Sequence, residues 1–321
     1  MDLKDCLKKM QDAGRLAHVT TPVDAVHELG GVCAKLDGGK ALVFDHIKGY
    51  DMPVTTGMWW NRENVAAIFD TPVDQLSSLF AEAVASLHQN PVTPVLMENA
   101  PAQSVVMPEP DLTKLPVPTL ALLDGGPYFD NCVILAKDPD TGVRNASIHR
   151  LMVTDKDRMG ILMDMGRHLR DYYERAEARG VPLEITINNG VHPAYFVAAT
   201  TPSSAAPIDE DELSVASYLL GEPARLCRSR TVDVEGIADA QIVIEAEILP
   251  YVREPEGPFG EVSGYYAAQE DRWVVSVKAI TMQMDPILHL LQPGRDKSIQ
   301  TTPAHQLALA AVYYSPLQYM Y

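Results

Sequence analysis

Near the start of the chain, Leu3, Leu7 and Met10, then Val26, Leu29, Val32 and Leu36, recur at three- and four-residue spacing, the stripe that lets a helix bury one face. The spacing predicts helices over 3–13 and 23–36. Two short apolar runs follow, Ala41 to Asp45 and Pro53 to Gly57. They are too short for helices and read as strands. Helical spacing resumes over 62–70 and 73–89, with Thr71-Pro72 opening the second, since a first-turn proline lacks only a donor that would be unpaired anyway. An α/β unit is expected here. Over 90–127 the periodicity gives way to Pro91, Pro94, Pro101, Pro108, Pro110, Pro116, Pro118 and Pro127. Such a segment should be an extended connector lying over a neighbouring domain, with the domain boundary near 105–112.

From Asn131 onward the apolar runs become β-branched. Val133 to Lys137, Ala146 to Val153, Leu183 to Asn188, Ala194 to Ala199, Gln241 to Leu249 and Trp273 to Met284 are expected as strands. Helices are expected over 158–178 and 209–220, the latter opening with Asp209-Glu210-Asp211-Glu212, acids that suit the positive end of a helix dipole. Ala304 to Tyr319 also has helical spacing. This order predicts a second, sheet-rich domain with inserted helices.

Composition narrows the function classes more than the fold. With 321 residues there is ample material for a sizeable core. A net charge of −17 opposes nucleic acid and anionic membrane surfaces as partners. An anionic ligand would therefore need a local positive site. Cys6, Cys33, Cys132 and Cys227 are scattered without CxxC or Cys/His clustering, so neither a disulfide framework nor a zinc site is expected. No run approaches the roughly 20 apolar residues of a membrane span, and a cytoplasmic protein is expected.

Candidate chemistry lies in four segments. The first is Glu254-Pro-Glu-Gly-Pro-Phe-Gly-Glu261, where glycine and proline forbid helix or continuous sheet. It holds Glu256 and Glu261 five residues apart beside an aromatic ring, a plausible acid–base pair whose crowding raises carboxyl pKa values. In Arg144 to Arg150, strand alternation would put Asn145, Ser147 and His149 on one face, and Ala146, Ile148 and Arg150 on the other. The spacing fits a solvated face as well as a strand meeting a cofactor. Gly166-Arg167-His168 should lie within a helix, and the acidic run 209–212 could cap a helix or reach a metal. Asn, His and Glu together suit Mn²⁺ or Mg²⁺ better than zinc or copper. No GxGxxG after a strand, P-loop or GxSxG elbow is present.

The order Asn145…Ile148-His149-Arg150, Gly166-Arg167-His168, Glu212…Gly221-Glu222-Pro223 and Glu256-Gly-Pro-Phe-Gly-Glu261, with Pro293-Gly294 after a last strand, resembles the UbiD family of reversible (de)carboxylases. The resemblance spans essentially the whole chain. It implies an α/β (α+β) protein: an N-terminal α/β domain with its connector over 1–110, a split β-barrel domain binding prenylated FMN over 111–300, and a tail over 301–321 in place of most of the usual C-terminal domain. It implies that Asn145, His168 and Glu212 hold Mn²⁺ (or Mg²⁺) against the cofactor phosphate, with K⁺ nearby, and that Ser147, Ile148, His149, Arg150 and Arg167 also line the cofactor. Arg150, Glu256 and Glu261 match the family's catalytic network, with Glu256 partnering the arginine and Glu261 delivering a proton after CO₂ leaves. The Ile-His-Arg and Gly-Arg-His segments are similar in style to hydroxybenzoate and protocatechuate decarboxylases. The implied substrate is an aromatic, heteroaromatic or α,β-unsaturated acid, the implied cofactor supplier a flavin prenyltransferase, and the implied assembly a homodimer or larger homo-oligomer. A catalytically silent flavin-binding relative, or one subunit of a larger complex, is the alternative.

Overall fold

The computed structural model describes residues 1–261 and 264–291. The expected helix over 304–319 and the Pro293-Gly294 segment lie outside the described residues. Helices Leu3–Asp12, Glu28–Leu36, Arg62–Phe69 and Leu76–Gln89 form in the first third of the chain. Asp2 opens the first of them with a reciprocal capping box to Asp5, satisfying amides that have no partner inside the helix. The second begins only at Glu28, because residues before it bridge to other segments.

These helices accompany a four-stranded sheet in the order Leu16–Val19, Ala41–Phe44, Val54–Thr56, Leu288–His289. Its first strand has no strong apolar alternation, and its last comes from the far end of the chain.

A nine-stranded sheet forms the rest of the framework. Along its main path the order is Tyr128–Phe129, Leu151–Asp155, Arg158–Ile161, Glu270–Met282, Ile242–Glu256, Leu183–Asn189, Cys132–Lys137 and Arg144–Ile148, with Val105–Val106 pairing beside Glu270–Met282. All the pairings in it are antiparallel. Arg144–Ile148 and Leu151–Asp155 are separated by two residues in sequence but by six strand steps across this sheet. Laid flat, six steps would span about 29 Å, whereas the connecting chain reaches roughly 11 Å at most. The sheet therefore curls until its edges approach, leaving a slit that His149 and Arg150 cross. Among the described residues the strand pairings form an open, curled path and not a closed ring.

Three expectations are corrected here. Ala146 to Val153 is not one strand, since the chain leaves one sheet edge at Ile148 and enters the strand next to the other edge at Leu151. Ala194 to Ala199 is helix, within Pro193–Ala199, capped by His192, whose Nδ1 accepts from the Ala194 amide at 3.0 Å. Each of its seven residues is buried, so no period of polar positions marks it as helical. The span 158–178 divides into the strand Arg158–Ile161 and the helix His168–Ala178.

The large sheet is covered on both faces. Val133, Leu135 and Ala146 pack into one core with Leu3, Met10, Trp59, Phe80 and Leu213. The alternate residues Cys132, Ile134 and Ala136 pack into another with Phe44, Val54, Tyr172, Ile185, Ile244 and Trp273. Each core joins residues from both sides of the proline-rich connector, whose Val105–Val106 pairs with the large sheet and whose Val95–Met97 pairs with Arg225–Cys227 in a separate three-stranded sheet.

Candidate active site

Arg150 leaves the slit between the two sheet edges and meets the end of the long strand Ile242–Glu256. There its Nε and Nη2 donate to the two oxygens of Glu256, at 2.9 and 2.8 Å, the parallel geometry in which a planar guanidinium holds a carboxylate. Nη1 donates to Glu261. After Glu256 the chain turns through Gly257 at φ +96° and pairs Phe259–Gly260 with Tyr266–Ala267, which places Glu261 on the other side of the same guanidinium.

The two acids differ in access. Glu256 is 0% exposed, whereas the Glu261 side chain is 35% exposed, so of the two carboxyls Glu261 is the one open to solvent. Partial burial raises the Glu261 carboxyl above the ordinary range; Arg150 opposes this, while the charges of Asp164 and Glu256 add to it. Burial works against the Arg150 charge, but its bonds to Glu256 and the nearby Glu261 outweigh that and raise its pKa.

A second centre forms around Glu212, the buried residue preceding helix Leu213–Leu220. Its Oε1 accepts from Asn145 Nδ2 at 2.7 Å and lies 3.5 Å from His168 Nδ1, and its Oε2 accepts from the Ala146 amide at 2.9 Å. Burial pushes the Glu212 carboxyl up, opposed by its bonds to His168, Ala146 and Asn145. Asn145 Oδ1 stays buried without a hydrogen-bond partner. One imidazole, one carboxylate and a free amide oxygen form a donor set that fits a hard divalent cation. Among the described residues no three His, Cys, Asp or Glu side chains gather as a metal cluster, so the set depends on the amide. Asn145 and Arg150 are five residues apart, so their Cα atoms lie within about 17 Å of each other.

Between them, Ser147 Oγ and His149 Nε2 are also buried without partners. His149 Nδ1 lies 2.9 Å from the Leu162 carbonyl, which can only accept, so Nδ1 carries the proton and Nε2 presents a lone pair. Burial holds this ring neutral, with its pKa lowered to about 4. Of these unpartnered buried atoms only Ser147 Oγ can donate to a phosphate; Asn145 Oδ1 and His149 Nε2 accept, and fit a cation or a ligand hydroxyl. Ile148 packs against the first core. Gly166 (φ +81°) and Arg167 precede helix His168–Ala178 rather than lying inside it, and Arg167 is exposed. The strand alternation expected to separate His149 from Arg150 does not apply, because neither is in a strand.

Sequence reasoning missed Tyr128, whose hydroxyl donates to Glu256 Oε1 at 2.9 Å. The Gly125-Gly126 pair just ahead of it was the available signal, since paired glycines mark close backbone approach.

Residues 7–84 match the family model described as 3-octaprenyl-4-hydroxybenzoate carboxy-lyase N-terminal domain, and residues 94–296 match its Rift-related domain. This chain belongs to the UbiD family. An uncharacterized protein of Rhodospirillum rubrum is 44% identical over 92% of this chain and 64% of its own length. The anhydromevalonate phosphate decarboxylase of Methanothermobacter thermautotrophicus is 37% identical over 79% of this chain and 57% of its own. The UbiD-class enzyme HmfF of Pelotomaculum thermopropionicum, solved with FMN and, in an evolved dimeric form, with prFMN, superposes with a TM-score of 0.90 at 40% identity. It covers 98% of this chain, and 69% and 72% of those two chains are matched. The chain spans 57–65% of the length of the first curated relatives it matches. Among the described residues no helix is long and apolar enough to cross a membrane.

Proposed function

We propose that this chain carries the decarboxylation site of a reversible, non-oxidative carboxy-lyase that binds prenylated FMN and acts on an aromatic, heteroaromatic or α,β-unsaturated carboxylic acid. The observation that carries this reading is the Glu256–Arg150–Glu261 arrangement: one guanidinium, one fully buried carboxylate and one accessible carboxyl with a raised pKa. A protein that merely stores a flavin has no use for both acids.

In this reading Glu256 fixes the guanidinium through Nε and Nη2, and the Nη1 side holds the substrate carboxylate. Asn145, His168 and Glu212 hold Mn²⁺ or Mg²⁺, which offsets the phosphate charge in an acidic protein. Ser147 and His149 face the cofactor with their unpartnered atoms, alongside Ile148 and Arg167. Prenylated FMN, when bound, supplies the sink for the electron pair released as the carbon–carbon bond breaks. Glu261 then gives its proton to the carbon that carried CO₂, and recovers one from solvent. Its raised pKa keeps the donor form present at higher pH, so turnover should fall as pH rises through that value. A flavin prenyltransferase supplies the cofactor, and the assembly is a homo-oligomer.

The test is co-expression with a flavin prenyltransferase, a visible spectrum, and CO₂-release and H/D-exchange screens over benzoic, pyrrole and cinnamic acids. Glu261→Gln should retain the bound-cofactor spectrum and lose on the order of 100-fold or more of turnover. Full activity in that variant would remove Glu261 from the acid role. Bound cofactor with neither turnover nor exchange would favour a silent binder.

A further inference from the structure

The segment Asp124–Phe129 grips the carboxylate loop at several points. The Gly125 amide donates to the Pro258 carbonyl at 2.7 Å, and Asp124 Oδ1 accepts from the Gly260 amide at 3.0 Å. A Cβ on Gly125 would lie 2.1 Å from the Gly257 carbonyl oxygen, so only glycine permits this approach. From this segment Tyr128 reaches inward. It is 2% exposed, and its ring packs on Phe259 with centroids 4.4 Å apart. Phe259 in turn lies 5.0 Å beneath the Arg150 guanidinium carbon. The phenol and the ring stack thus converge on Glu256 and Arg150 from two sides.

We propose that Tyr128 is a positioning residue: its hydroxyl pins Glu256 Oε1 so that Glu256 holds Arg150 through Nε and Nη2, leaving Nη1 directed at Glu261 and the substrate carboxylate. Glu256 is wholly buried and sits where the strand gives way to glycine and proline. A bidentate pair at such a place can swing as a unit about the glutamate side chain unless a third donor fixes one oxygen. Tyr128 supplies that donor. It stays protonated, because burial and the adjacent Glu256 charge raise its pKa.

The inference rests on the decarboxylase reading for its kinetic consequence but not for its spectroscopic one. In cofactor-loaded protein, Tyr128→Phe keeps the ring stack and should lower kcat on the order of 100-fold, as misplacement of a reacting group does, with KM changed less than about twofold. Phe259→Leu, which keeps the phenol, should lose much less. In cofactor-free protein, the ¹⁵N–¹H signal of Arg150 Nε should move toward that of a free arginine in Tyr128→Phe. An unmoved signal and unchanged kcat would overturn the proposal. If wild-type protein with cofactor bound turns over no acid, the decarboxylase reading fails while the Arg150 signal still decides the role of Tyr128. Should Tyr128→Phe not fold, the Tyr128 hydroxyl proton in wild type serves instead. It should be observable and shift in Glu256→Gln, and a shift of zero would overturn the proposal.

Discussion

Two glutamates of identical chemistry, five positions apart, take different parts because of what surrounds each carboxyl. Glu256 lies against Gly160, where a Cβ would come 3.0 Å from its Cγ, and it accepts bonds from Arg150 and Tyr128. Glu261 has Arg150 on one side and solvent on the other. A carboxylate with three donors and no solvent exposure is a fixed partner, whereas one with solvent access and a raised pKa can lose and regain a proton. Small residues around the pair make this possible. Gly125→Ala would place a methyl inside the Gly257 backbone and should destabilise the fold by about 1–3 kcal/mol, read as a lowered unfolding midpoint in urea. Gly142→Ala, at φ +75° in open space, should cost about 1 kcal/mol from backbone strain alone. Equal losses at the two sites would argue that the close approach at Gly125 relaxes freely.

Elements set the distance between the two centres. The break at His149 and Arg150 lets one short stretch present Asn145 to Glu212 at one sheet edge and Arg150 to Glu256 at the end of the central strand Ile242–Glu256. A continuous strand would have turned His149 and Arg150 to opposite faces. Glu212 is carried on the first residue before helix Leu213–Leu220, and Asp211 beside it is tied to Arg144, so helix and strand hold the cation set from both sides. Saturating Mn²⁺, at about 100 times Kd, should stabilise the protein by about 2.7 kcal/mol, measured as a rise in Tm without cofactor. Asn145→Ala and Glu212→Gln should abolish that rise. A rise of undiminished size in both variants would place the ion elsewhere.

At the scale of the whole molecule, tight burial leaves a mark on pH dependence. His149, His192 and His289 are buried and neutral, with pKa values lowered by burial to about 4, 3 and 3. Unfolded histidine titrates near 6.5, so below that pH the unfolded chain binds protons that the native one refuses. Stability from these three groups is intact above about pH 6.5 and is lost as pH falls toward 4. Tm should fall across this window, and His192→Asn with His289→Gln, which keeps a cap at helix Pro193–Ala199, should flatten the fall. An unchanged slope would assign acid unfolding to the carboxylates.

What was legible in the sequence follows from the same packing. The helices Leu3–Asp12, Arg62–Phe69 and Leu76–Gln89 each keep an exposed face, so their apolar stripes survive in the residue order. The turn at Gly257-Pro258 was legible because glycine and proline restrict the backbone locally. Glu254 to Glu256, expected in the loop, instead continue the strand Ile242–Glu256 and pair with Glu270 to Arg272, since cross-strand pairing overrides the local signal. The residues of both centres could be named from the order of short segments, by resemblance. Helix Pro193–Ala199 was not legible, because burial on every side removes the polar half of the period. Nor could local pattern show that Ile148 and Leu151 belong to opposite sides of the sheet, since their separation depends on pairing across six strand steps. Residue order by itself determined which groups were available and where the chain must turn. Tertiary structure alone decided that Arg150 crosses a slit, that Glu256 is sealed while Glu261 is not, and that Tyr128 reaches Glu256 from 128 residues away in sequence. Those outcomes arise from long-range contacts, and no local preference encodes them.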